Sequence, residues 1–132
     1  MSARCLLDVN ALIALLWASH EHNPRTWKWL EAEGKVAICP LTEIGFLRIS
    51  TQPVYGATVE QARKMLRDWK AAKKPAYIAC DLDALKTAAP TTGNKTTDFY
   101  LASLAEAHGL KLATLENRMG HPAAFTIPEF SS

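Results

Sequence analysis

The sequence predicts an α/β domain, a central, mostly parallel twisted sheet with helices on both faces. Short apolar runs alternate with longer stretches of helical period, the pattern of βαβ units. Pro24, Gly34, Pro40, Pro53, Gly56, Pro75, Pro90, Gly93 and Gly109 punctuate the boundaries between them. At 132 residues the chain fits one domain, residues 1–132, with a single core and no linker.

The elements are expected in the following order. Arg4 to Leu7 forms the first strand, and Ala11 to Ala18 the first helix. A second helix runs from Arg25 to Glu33, behind Pro24 and before Gly34. Val36 to Cys39 is a buried strand, followed by a helix from Thr42 to Ser50 with Thr42 as its N-cap. From Thr58 to Ala72, residues Ala62, Met65, Leu66, Trp69 and Ala72 recur at three- and four-residue spacing and define a buried stripe. On the opposite side Arg63, Arg67, Lys70 and Lys74 share a face, a candidate ridge for phosphates that also reads as an ordinary solvated surface. Tyr77 to Cys80 is the third strand, Leu82 to Ala88 a short helix and Asp98 to His108 a longer one. Strands from Lys111 to Thr114 and from Ala124 to Ile127 complete the sheet.

Composition narrows the setting. The chain is 48% hydrophobic and 21% charged, close to average for globular proteins. Its net charge of +2 is too small to argue for nucleic acid by itself. The longest apolar run, Ala11 to Ala18, falls far short of the roughly 20 residues of a membrane-spanning helix, so no membrane association is expected. Asp8 and Asn10 interrupt what would be a signal region. Three cysteines without CxxC spacing, each in or beside an apolar run, read as reduced, packed thiols and favour the cytoplasm. Of the four tryptophans, Trp27 and Trp29 lie two apart in one helix and face different ways.

In open parallel sheets ligands bind beyond the carboxyl ends of the strands, which gives weight to the acids found there. Asp8 directly follows the first strand, and Glu116 follows the Lys111 to Thr114 strand by two residues. Glu43 and Asp98 open helices, where a carboxylate is favoured by free N–H groups alone. Both nevertheless sit on the side of their helices that carries apolar residues, Leu47 for Glu43 and Leu101 and Ala102 for Asp98. Acids converging on one sheet edge repel one another unless a cation lies between them, and oxygen-only ligation suits Mg²⁺ or Mn²⁺. His20, His22, His108 and His121 form no HxxxH pair and read as structural or surface residues.

Taken in order, "LLDVNALIAL", "CPLTEIGFLRIS" and "TTDFYLASLAEAHGLKLATLEN" resemble the PIN-domain ribonucleases, in particular the VapC toxins of type II toxin–antitoxin pairs. The resemblance runs from about Arg4 to Pro128 and implies a three-layer α/β/α PIN-like fold whose acidic pocket binds Mg²⁺ or Mn²⁺ and hydrolyses RNA. It further implies Asp8, Glu43 and Asp98 as the first three catalytic acids and metal ligands. Asn10 is implied to support the pocket's hydrogen bonds, and Arg48 to order the pocket or contact phosphate. Where the family generally has a fourth Asp, this chain has Glu116, whose extra methylene either reaches a second metal or a metal-bound water or displaces the carboxylate.

The partners implied are RNA, with a single-stranded loop in a structured molecule as the target, a VapB-like antitoxin whose C-terminal segment lies between early helices, and a second copy in a homodimer. Two alternatives stay open: a degenerate PIN domain that binds without cutting, and phosphoryl chemistry of the haloacid-dehalogenase type, which wants a second Asp where Asn10 stands.

Overall fold

The computed structural model describes residues 2–129. Five parallel strands form one sheet in the order β3-β2-β1-β4-β5. The strands are β1 (Cys5–Leu7), β2 (Ala37–Ile38), β3 (Ala76–Tyr77), β4 (Lys111–Thr114) and β5 (Ala124–Thr126). The helices are α1 (Val9–Leu16), α2 (Asn23–Glu33), α3 (Pro40–Ser50), α4 (Val59–Lys73) and α5 (Thr96–Ala107).

Strand alternation builds the two outer layers. Leu7, Ile38 and Ala113 face a core with Leu12, Trp29, Phe46, Leu66 and Trp69 of α1 to α4. Leu6, Ala37 and Leu112 face the other way, onto Leu101, Leu104 and Ala105 of α5. The three-layer expectation therefore holds, with every strand pair parallel.

Several boundaries differ from the expected ones for identifiable reasons. The first helix begins at Val9 rather than Ala11, because the Asp8 carboxylate accepts the Val9 N–H at 2.8 Å and caps it directly after β1. Thr42 is no cap. Cys39 takes that position, Pro40 fills the first turn, and the Thr42 hydroxyl donates to the Leu7 carbonyl at 3.0 Å. The third strand pairs at Ala76–Tyr77, opposite a β2 that is only two residues long before Pro40 starts α3. Leu82 to Ala88 holds a single 3₁₀ turn, Ala84–Lys86, and Leu85 is 95% exposed, so no apolar face anchors a longer helix.

Helix α4 has a full capping box between Thr58 and Gln61. Ala62, Leu66 and Trp69 are buried, Met65 is half-buried, and Ala72 lies outside the stripe, exposed. Cys5 and Cys39 are buried, whereas Cys80 is exposed rather than packed; all three are free thiols. Trp29 is buried and Trp27 half-buried, with the Trp27 indole donating to the Leu15 carbonyl at 2.8 Å. Among the described residues no helix is long and apolar enough to cross a membrane.

Candidate acidic centre at the sheet edge

β1 has β2 on one side and β4 on the other, so the chain reverses its direction of winding between β1 and β4. Carboxyl ends at such a switch point border a crevice. Asp8 lies there directly after β1, with its own N–H donating to the Ala113 carbonyl of β4 at 2.9 Å.

Asp8 is 2% exposed. Burial, and secondarily the Asp98 carboxylate, push its pKa up to about 6; Glu116 adds to the rise, while hydrogen bonds from Thr114 and the Val9 N–H oppose it. Asp98, in the first turn of α5, is half-buried and also raised, first by burial and then by Glu116. Of the three acids, Asp98 and Glu116 thus both raise Asp8, and Glu116 raises Asp98 while Lys95 opposes that rise. Among the described residues none of the three forms an ion pair.

Thr114 and Asn10 frame this group. Asn10 Nδ2 donates to Thr114 Oγ1 at 3.2 Å, and Asn10 Oδ1 accepts the Leu115 N–H at 3.1 Å. The Thr114 hydroxyl also accepts the Glu116 N–H at 3.0 Å, fixing the backbone that carries the fourth acid. Glu116 itself is exposed. It lines a cavity of about 460 Å³ together with Asn10, His20, His22, Asn117 and Arg118.

Glu43 is placed differently. Its Oε2 accepts from Lys70 Nζ at 2.7 Å, and its Oε1 accepts from the Tyr77 hydroxyl at 2.6 Å. The bond to Glu43 is the main reason that the Tyr77 phenol is pushed up to about 12. Asp8 therefore feels Asp98 and Glu116, whereas Glu43 is bonded to α4 and β3. Among the described residues no three His, Cys, Asp or Glu side chains stand within joint reach of one ion. The donors at the edge nevertheless fit a hard divalent cation, being all oxygen, mutually repulsive and free of ion pairs.

The remaining candidates divide. Arg48 is exposed in the last turn of α3, with no side-chain partner among the acids described. Arg63 and Arg67 are exposed and line a groove of about 360 Å³ between α3 and α4, alongside Ile44, Leu47 and Leu66. Lys74 is exposed at the left-handed C-cap of α4, and Lys70 is committed to Glu43. Thr114 and Tyr77 are site residues that the sequence reading does not single out. Thr114 is detectable as the hydroxyl residue that ends the strand before Glu116, whereas the pairing of Tyr77 has no local signal.

Fold and site together define a doubly wound α/β protein with a carboxylate centre at its topological switch point. Comparison with known proteins narrows that class: a profile of the PIN domain matches residues 5–124, and the chain belongs to the PIN-domain family, in its VapC-like branch. It is 36% identical to Ribonuclease VapC38 of Mycobacterium tuberculosis over 118 residues, 84% of each chain. Identity to Ribonuclease VapC29 of the same organism is 31% over 119 residues, 88% of each chain. A toxin–antitoxin complex from Klebsiella pneumoniae contains a chain of the same fold, with a TM-score of 0.65 at 20% identity, covering 96% of this chain and 99% of that one.

Proposed function

We propose that the protein is a metal-dependent endoribonuclease toxin, neutralised by a VapB-like antitoxin. The observation that carries this reading is Asp8, buried to 2% exposure at the switch point and opposed by Asp98 and Glu116, with no ion pair to any of the three among the described residues. Burying a carboxylate in this way is costly, functional sites are where such costs concentrate, and a cation is the partner that relieves it. The names of the relatives, ribonucleases of the VapC group, support RNA as the substrate class.

Asp8 and Asp98 are the first ligands in this account, with Glu116 able to extend from the β4 exit. Mg²⁺ or Mn²⁺ held there supplies activation of water and compensation of charge on the phosphodiester. Asn10 and Thr114 keep the two strand ends in register, so the carboxylates do not drift apart when the substrate enters. Water attacks phosphorus, the bond to O3′ breaks, and the products carry 5′-phosphate and 3′-hydroxyl ends. Arg63 and Arg67 lie on a surface suited to the RNA backbone. The groove they line together with Ile44, which is 59% exposed, suits an amphipathic antitoxin segment with acidic residues. A homodimer remains part of the proposal on family grounds.

Purified protein should cut RNA with Mg²⁺ or Mn²⁺ and stop on chelation, and D8N and D98N should be inactive while still folded. Binding of RNA without cleavage under any metal condition would instead support the non-catalytic PIN reading, which draws on the exposed Glu116 and the engaged Glu43.

A further inference from the structure

Among the described residues Glu43 is the candidate acid that forms a salt bridge, with Lys70. Three elements meet at it: Glu43 from α3, Lys70 from α4 and Tyr77 from β3. Lys70 Nζ takes Oε2 at 2.7 Å, the Tyr77 hydroxyl takes Oε1 at 2.6 Å, and Lys70 Nζ also lies 4.7 Å from the centre of the Tyr77 ring. Side-chain exposure is 37% for Lys70 and 16% for Glu43, so the pair is partly shielded from water. The contact is selective along α4. Lys64 pairs within its own helix with Asp68, and neither Arg63 nor Arg67 forms an ion pair among the described residues.

The backbone of Glu43 is meanwhile fixed at the sheet edge, because its neighbour Thr42 is hydrogen-bonded to Leu7, the last residue of β1 before Asp8. The start of α3 is thus tied to the end of β1, while the Glu43 carboxylate is bonded to α4 and β3 and is not among the groups that raise Asp8.

The geometry points to Lys70 and Tyr77 as positioning residues that hold Glu43 in reserve, so that Glu43 joins a divalent cation at Asp8 and Asp98 only by exchanging Lys70 for it. This inference rests on the metal-dependent reading above. Each carboxylate oxygen holds one donor in the clamped arrangement, and turning the carboxylate toward Asp8 has to give up at least one of these charge-assisted bonds. The clamp also limits repulsion among the acids while no cation is bound, because Glu43 enters the group only when its charge is needed. Lys70 is thereby withheld from the row of cations on α4 while no divalent cation is bound.

Calorimetric titration of the full chain with MnCl₂ tests this, using wild type, K70M, E43Q and the double variant K70M/E43Q, with circular dichroism as the check on folding. Methionine keeps the aliphatic stem of Lys70 and removes its charge. K70M is expected to tighten Mn²⁺ binding about fivefold, the worth of a partly shielded ion pair, and E43Q to weaken it. In the E43Q background K70M should have no effect. Y77F keeps the charge and removes one hydrogen bond, and it should tighten binding by a smaller factor; it also serves as the test if K70M fails to fold. A readout independent of affinity is the acetylation rate of the Lys70 amine by mass spectrometry, which should rise on adding Mn²⁺ relative to that of the exposed Lys86. Unchanged affinity in K70M and Y77F, or the same tightening in K70M whether or not Glu43 is present, overturns the clamp and leaves the nuclease reading intact. Absence of Mn²⁺ binding by both wild type and K70M overturns the two together.

Discussion

Asn10 at the start of α1 and Thr114 at the end of β4, 104 residues apart in the chain, are joined side chain to side chain at 3.2 Å beside the switch point. The same asparagine accepts the Leu115 N–H. Replacing it by Ala should leave that backbone group without its partner and cost about 1–3 kcal/mol of stability, measured by urea unfolding. A loss of cleavage larger than the loss of folded protein is also expected, because the spacing of Asp8 and Glu116 depends on this bridge.

Asp8 sets a pH dependence whose sign follows from its raised pKa. The folded protein holds the Asp8 proton up to about pH 6, whereas an unfolded Asp releases it near pH 4. Its burial therefore costs no stability below the unfolded value, and stability is lost as pH rises through the folded value. With Mn²⁺ and Mg²⁺ absent, D8N should be more stable than wild type at pH 7 by up to about 2–3 kcal/mol, and the difference should close toward pH 4. Paired denaturant melts at the two pH values check this; a D8N variant less stable than wild type at pH 7 would contradict it.

Arg63 and Arg67 are exposed on α4 and form no ion pair among the described residues, which places them to meet RNA whether or not Lys70 is held by Glu43. Reversing both to Glu should weaken binding of a single-stranded oligonucleotide and flatten its salt dependence by about 0.7 for each phosphate no longer neutralised, read by fluorescence anisotropy across a salt series. Equal slopes for variant and wild type would return this face to the role of a solvated surface.

Gly45 tests the packing that places Glu43. A Cβ there would lie 2.5 Å from Val9 Cγ2, in the short, stiff side chain that opens α1. G45A should destabilise by about 1–3 kcal/mol, and V9A in the same chain should recover most of the loss. Thermal melts of the two single variants and the double variant decide it.

Much of this was legible in sequence because it is local. The alternation of apolar runs with helical stretches marked the sheet and its helices, and Asp8 announced itself as a charge ending a buried strand. Helix α4 was readable to within a residue because its stripe and its Thr58 cap lie in one continuous segment. The 82–88 segment misled because a few apolar residues imitate a helical face, whereas burial decides whether such a face forms, and Leu85 faces water. Thr42 looked like a cap by type, but Pro40 had already started the helix. The placement of Glu43 was beyond reach for a different reason. Its partners Lys70 and Tyr77 lie 27 and 34 residues away, on elements that only the fold brings alongside.

Hydrolysis of RNA by water at a metal held by Asp8 and Asp98 leaves cut ends whose chemistry differs from that left by attack of the ribose 2′-hydroxyl. Purified protein is incubated with RNA and Mn²⁺, and the termini are identified by end-specific ligation and mass spectrometry. The expected products carry 5′-phosphate and 3′-hydroxyl ends and vanish in D8N and on chelation. Ends bearing a 2′,3′-cyclic phosphate, or cutting that persists without metal, would contradict it.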